Sequence, residues 1–217
     1  NLIGDGNVLD KVLLSDADKI RRTLEEIDHA SFERAVDRIV SAKQIYIIGV
    51  RSSSSLAGFL NYNFRMIFDN VKFVQTTSGS EMFEQIMQIG EGDVMIAISF
   101  PRYSKRIINA VEYAGSKRAD VVALTDSVQS PIAEYADHLL IAQSDMASFV
   151  DSLVAPLSII NAMIVAVSRR KQEELTKAFY AVSEKLYQQA APQGDAGVAP
   201  DGAAAPDSEG YYDGNVQ

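Results

Sequence analysis

Two segments of this chain place hydroxyls and an arginine directly after a short apolar run: Ile45-Tyr-Ile-Ile-Gly49-Val-Arg51-Ser52-Ser53-Ser54-Ser55 and Val94-Met-Ile-Ala-Ile-Ser99-Phe-Pro101-Arg102-Tyr103-Ser104-Lys105. Each then runs into a segment with helical spacing. The first turn of a helix offers backbone N–H groups without partners and a partial positive charge, so hydroxyls and guanidinium groups gathered there suit an anion, phosphate above all. Two such loops in adjacent units can face one pocket. Gly49 permits a tight turn, and Ser52, Ser53 and Ser54 can turn their oxygens to a ligand. One helix cap needs a single hydroxyl, so four consecutive serines exceed that need. Pro101 favours an abrupt exit from the strand, and Arg102 has the fork that pairs bidentately with phosphate. A plainer reading has Ser52 or Ser53 capping a helix and Arg102, Lys105 and Arg106 forming a solvated basic helix start. Positive charge at that end is unfavourable unless an anion compensates it.

Other chemistry has weaker claims. Glu81 follows a second apolar run and opens a helix, where it either complements the helix charge, contacts ligand hydroxyls or moves a proton. Asp126, after the fourth run, is a lesser candidate. His29 lies between two helices and His138 leads into the fifth run, and both read as structural or solvated. Two histidines, no cysteine and no suitably spaced acids give no metal signature, so neither a metal nor a cofactor is expected. The glycine patterns that mark dinucleotide and nucleoside triphosphate loops are absent.

The elements that must position these groups follow from periodicity. Residues 16–27 and 31–42 carry apolar side chains at helical spacing, with Asp16 and Ser31 as candidate caps. The period then changes. Short apolar runs recur at 45–48, 71–74, 94–98, 121–124 and 139–142, separated by helical segments near 53–68, 80–89, 104–117 and 130–136. Runs without polar alternation, spaced by helices, predict a parallel five-stranded sheet covered on both faces and joined by right-handed crossovers. Two further helices, 148–169 and 171–189, are expected to close the domain. Ligands of such sheets bind outside the carboxyl ends of the strands. Both loops sit there, and Thr76 to Glu81 and Thr125 to Ser127 follow other strands in the same sense.

The chain has 217 residues, 47% of them hydrophobic, enough for one core. Its last 28 residues hold seven Ala, five Gly, three Pro and five acids without Lys or Arg, the composition of a disordered acidic tail, 190–217. The tail carries five of the nine net negative charges, and the remainder is still mildly acidic. That argues against a broad basic face for DNA or RNA, which must neutralise many phosphates. No cysteine means no disulfide and no thiol catalysis, and the N-terminus carries no signal-peptide pattern. The longest apolar stretch, Phe149 to Val167, is interrupted by Asp151, Ser152, Pro156, Ser158 and Asn161, so it reads as a buried or interface helix and not a membrane span. Tyr62, Phe64, Met66, Ile67 and Phe68 add to the case for an interface.

Taken in order, Phe32 to Gly49, the serine loop, Ala97-Ile-Ser99-Phe-Pro-Arg-Tyr-Ser104 and Ala123-Leu-Thr125-Asp126-Ser-Val-Gln-Ser130-Pro131 resemble the sugar isomerase (SIS) domain. The chain looks most like the effector domain of RpiR/MurR-type bacterial transcriptional regulators, over about residues 16–170. The resemblance implies a flavodoxin-like three-layer α/β/α sandwich that forms a homodimer or tetramer and binds a phosphosugar at the strand ends. Ser53 or Ser54 matches the family's ligand serine. The second loop of the family usually reads Ser-x-Ser-Gly-x-Thr; Ser99 and Ser104 keep the outer hydroxyls, whereas Pro101 and Arg102 depart from it. Arg51 stands where many relatives have Gly. The resemblance also implies a cytoplasmic protein that meets DNA only through a preceding helix-turn-helix domain and contacts no membrane. The start at Asn1 without Met, with residues 1–15 as a linker, fits the sensor half, 16–189, of a longer chain.

The expected function is therefore phosphosugar sensing without catalysis, with ligand-binding residues Arg51, Ser52, Ser53, Ser54, Glu81, Ser99, Arg102 and Ser104. The alternative is a phosphosugar isomerase or lyase with Glu81 as base.

Overall fold

Neighbouring residues of a strand point to opposite faces, so a run without polar alternation has to be covered twice. The computed structural model, which describes residues 7–75, 78–145 and 151–190, has both covers. Strands β1 (Ile45–Gly49), β2 (Val71–Val74), β3 (Val94–Ile98), β4 (Asp120–Thr125) and β5 (His138–Ile141) form one parallel sheet in the order β2-β1-β3-β4-β5. Ile45, Ile47, Val94, Ile96, Ile98, Val122 and Leu124 point to one side. There they meet Ala35 and Ile39 of α2 (His29–Val40), Leu60 and Phe64 of α3 (Ser53–Phe64) and Ile160 and Met163 of α6 (Val154–Ala190). Tyr46, Ile48, Met95, Ala97, Val121 and Ala123 point to the other side. They meet Met82 and Ile86 of α4 (Gly79–Ile86) and Ile107 and Val111 of α5 (Lys105–Ser116). This is the three-layer α/β/α sandwich, with the flavodoxin-like strand order.

Several element boundaries differ from the sequence reading. Helix α1 runs Val8–Glu26 and is capped by Asn7, whose side chain accepts from the Asp10 N–H at 3.4 Å. Asp16 is therefore mid-helix, because nothing in residues 8–15 breaks a helix. Helix α2 is capped by Asp28, which accepts from the Ser31 N–H at 3.0 Å. Asp28 takes the cap and leaves Ser31 inside. Segment 130–136 shrinks to one 3₁₀ turn, Ala133–Tyr135, too short for a helix after Pro131. The two final helices are one: Ser168-Arg169-Arg170-Lys171 contains no Gly or Pro that would stop α6. The chain divides into two compact units, the first ending at Thr176 and the second beginning at Lys177. The acidic tail beyond Ala190, Thr76 and Thr77, and Phe149 and Val150 lie outside the described residues.

Phe64 and Phe68, read as interface residues, belong to the core, where their rings meet edge to face at 5.5 Å. Tyr62 and Met66 are exposed on α3 and beyond its end.

His138, the first residue of β5, is buried, and neither ring nitrogen has a hydrogen-bond partner. Burial lowers its pKa below the ordinary 6.5; Asp137 and Asp120 oppose this and Arg34 and Arg38 add to it. The folded state thus binds this proton less well than the unfolded chain. The contribution of neutral His138 is fully present above the unfolded pKa and is lost as pH falls below it. Between about pH 7.5 and about pH 5.5, Tm should drop more in the wild type than in His138→Phe. Equal drops in the two melting curves would remove His138 as the origin.

Candidate functional site

Strand order reverses between β1 and β3, which lie side by side with Gly49 opposite Ile98. A crevice opens at such a reversal, outside the carboxyl ends of the two strands. The loop from β1 to α3 and the loop from β3 to α5 form its walls. A Cβ on Gly49 would stand 2.6 Å from the Ser53 carbonyl oxygen, so only glycine lets β1 turn this tightly into α3.

Arg51 and Arg102 occupy the tips of the two loops with φ of 56° and 67°. That left-handed conformation favours glycine and costs other residues roughly 1 kcal/mol. The third such residue among those described, Arg118, only ends α5, where a left-handed residue is ordinary. Side-chain bonds hold the first two in place. Arg51 Nη1 donates to the Arg102 carbonyl at 3.1 Å, and Arg102 Nη2 donates to Asp151 Oδ2 at 2.9 Å. Asp151 is buried, three residues before α6 begins.

Between the loops lies a cavity of about 230 Å³ that brings together Arg51, Ser52, Ser53, Ser99, Arg102 and Ser104. Ser53, Ser99 and Ser104 are buried along it, while Arg51, Ser52 and Arg102 are exposed at its mouth. Ser52 caps α3 and Ser104 caps α5, yet neither side chain makes a cap hydrogen bond to its helix. Neither hydroxyl is thus spent on capping its own helix, and both are available to a ligand. Six of the eight expected residues line one cavity.

The other two do not line it. Ser54 Oγ donates to the Arg51 carbonyl at 2.6 Å, bracing the loop from beneath. Glu81 is exposed in the first turn of α4. Asp126 is engaged as well: Tyr103 donates to it at 2.7 Å and Thr125 Oγ1 at 3.1 Å. Burial first, and the bond to Asp126 second, push the Tyr103 pKa up to about 12, so its phenol is a donor and not a base near neutrality. Thr125 is fully buried, and its Oγ1 lies 2.7 Å from Ser130 Oγ, from whose hydroxyl it can accept. The end of β4 is therefore a closed network that stiffens the wall. Sequence reasoning missed two residues, Tyr103 and Asp151. The signal for Asp151 was an acid inside an apolar stretch, which needs a cation partner when buried.

Among the described residues, those lining this cavity include no carboxylate or imidazole. They can hold an anion and donate to hydroxyls, but a proton-shuttling base would have to come from outside that set. Among the described residues no three acids or histidines gather to hold a metal, and no helix is long and apolar enough to cross a membrane.

Comparison with known proteins agrees with this fold. The sequence profile of the SIS domain matches residues 38–166, more than half of the chain. An uncharacterised HTH-type transcriptional regulator of Caldanaerobacter subterraneus is 25% identical over 186 residues, covering 82% of this chain and 64% of that protein. The HTH-type transcriptional regulator HexR of Escherichia coli is 25% identical over 178 residues, covering 78% of this chain and 58% of HexR. The chain thus spans about half to two thirds of the length of its curated regulator relatives. Among solved structures, the sugar isomerase domain of an RpiR transcription factor from Sphaerobacter thermophilus superposes with a TM-score of 0.74 at 24% identity, covering 82% of this chain and 99% of that one. NanR of Vibrio vulnificus, solved with ManNAc-6P, gives 0.68 at 22% identity, covering 87% and 72%. At such identities the structures share the fold.

Proposed function

The chain belongs to the SIS domain family, and from that premise we propose that it is the effector-binding domain of an RpiR-type transcriptional regulator, with a sugar phosphate as ligand. One observation carries this reading: two helix N-termini with uncommitted cap serines converge with two guanidinium groups on one cavity. A phosphate would take the serine hydroxyls and helix ends, and Arg51 and Arg102 would supply the charge that balances a dianion. Regulator relatives and the ManNAc-6P complex of NanR support the same ligand class. DNA contact belongs to a helix-turn-helix domain of the whole protein, and the exposed Tyr62 and Met66 suit a homodimer. Sensing of this kind places the protein in the cytoplasm.

A thermal-shift series with ManNAc-6P, glucosamine 6-phosphate and arabinose 5-phosphate tests it. A ligand that binds only the folded state at one hundred times its Kd adds about 2.7 kcal/mol of stability. Ser53→Ala should weaken the active compound about tenfold, the worth of one hydrogen bond to a charged group. No shift with any sugar phosphate at millimolar concentration refutes the reading.

An isomerase reading draws support from neighbours such as the phosphoheptose isomerase of Neisseria gonorrhoeae, with a TM-score of 0.63 at 19% identity. It would need Glu81 to reach the ligand from outside the cavity lining. Turnover of a sugar phosphate that disappears in Glu81→Gln would favour it over the sensor.

A further inference from the structure

The pocket is joined to α1 by polar contacts that ligand binding alone does not require. Arg102 reaches Asp151 at 2.9 Å, and the side chain of Asp151 is only 3% exposed against 62% for Arg102. The next residue, Ser152, donates Oγ to Asp16 Oδ1 of α1 at 2.7 Å. Asp16 lies 3.6 Å from Lys19 Nζ, a buried ammonium that also donates to Ser15 at 2.8 Å. The segment after β5 grips the same helix further along: the Gln143 N–H donates to Thr23 Oγ1 at 3.0 Å, and Arg22 pairs with Asp145 at 3.6 Å. Helix α1 is thus fastened to Gln143 and Asp145 after β5 and to Ser152 before α6, and the residue preceding Ser152 holds the pocket arginine.

The unequal burial of the pair decides what happens when Arg102 meets an anion. A carboxylate withdrawn from water and then deprived of its cation is strongly disfavoured, whereas an exposed guanidinium has five N–H groups to share. Arg102 therefore keeps Asp151 and offers the ligand its remaining donors. A shift of the guanidinium toward a ligand draws Asp151 with it. Ser152, one peptide away, carries that shift to Asp16, and a helix responds as a stiff unit.

We infer that Asp151 is a positioning residue that couples Arg102 to α1, so that occupancy of the pocket alters how α1 is held. The inference rests on the proposed anion site for its biological use. The coupling itself is a property of the free protein and is measured there.

Amide hydrogen exchange of residues 15–26 in the free full chain, with residues 107–114 of α5 as internal reference, provides the test. Arg102→Gln should speed exchange in α1 about three- to tenfold more than in α5, within the range of site-to-site couplings. Arg102→Lys, which keeps the ion pair, should restore most of the protection. In a Ser152→Ala background, Arg102→Gln should add little, because the contact to Asp16 is already gone. The inference is overturned by unchanged α1 exchange in Arg102→Gln. Equal acceleration with and without Ser152, or acceleration of α1 and α5 alike, overturns it too, since either outcome means general loosening. A chain that passes this test yet binds no sugar phosphate keeps the coupling and loses the proposed function. A chain that binds one and fails here does the reverse.

Discussion

Gly49→Ala is expected to lower stability by about 2–3 kcal/mol, the usual cost of overpacking a tight interior, and to abolish measurable sugar-phosphate binding. The added Cβ would stand 2.6 Å from the Ser53 carbonyl oxygen and 3.0 Å from Ala57 Cβ, and the first of these neighbours is backbone. Neither side of the clash can yield cheaply. Gly49 is paired with Ile98 in the middle of the sheet, and Ser53 and Ala57 are buried in the first turns of α3. The least costly adjustment is to lift the start of α3, which carries Ser52 and Ser53 away from Ser99 and Ser104. Stability and binding should fall together, with Tm lower by roughly 5–10 °C for a domain of this size. Gly58→Ala is the matched control. Its Cβ would meet only Phe73 Cζ at 3.9 Å, inside the same helix. There alanine should raise stability by about 0.5–1 kcal/mol through helix propensity and leave binding intact. Paired melting curves and a sugar-phosphate titration decide the matter; two substitutions of the same sign would refute the steric account of Gly49.

The contrast between these glycines shows what was legible in the sequence. The apolar runs at 45–48 and 94–98 reveal the sheet because burial on both faces leaves no other way to accommodate them. The strand ends then locate the loops. That Ser53, Ser99 and Ser104 share a cavity follows from the strand order, which brings β1 and β3 together. Local spacing could not separate Ser53 from Ser54, since adjacent residues at a helix start point different ways, and Ser54 turns to the Arg51 carbonyl. It could not exclude Glu81 from the lining either, because that depends on where β2 and α4 place it. Asp151 was visible as a residue, yet its partner lies 49 positions away and only the fold joins them. One helix replaced the expected two because residues 168–171 hold no Gly or Pro to end it.

The loop tips were the most informative departure from the family pattern, and they support the second large effect. Arg51 and Arg102 stand at positions where the family resemblance leads to an expectation of glycine, and both keep a glycine-like backbone, with φ of 56° and 67°. The chain thus tolerates a backbone cost of roughly 1 kcal/mol at each tip to place a guanidinium there. Arg51→Gly relieves that cost and removes one exposed hydrogen bond to the Arg102 carbonyl, so the two changes nearly cancel. Tm should stay within about 3 °C of wild type, while affinity for a sugar phosphate falls by roughly ten- to a hundredfold, the loss of one charged contact. Arg102→Gly relieves the same strain but strands the buried Asp151 carboxylate, and so it should lose stability as well as affinity. Added salt should weaken wild-type binding more steeply than binding by Arg51→Gly, which has one cation fewer at the mouth. Calorimetric titration of both variants at two salt concentrations separates the roles. Undiminished affinity in Arg51→Gly would mean that one arginine suffices and that the ligand carries less charge than a phosphate dianion. Lost affinity with an unchanged melting curve would mean that Arg51 is retained for the ligand and contributes nothing to the fold.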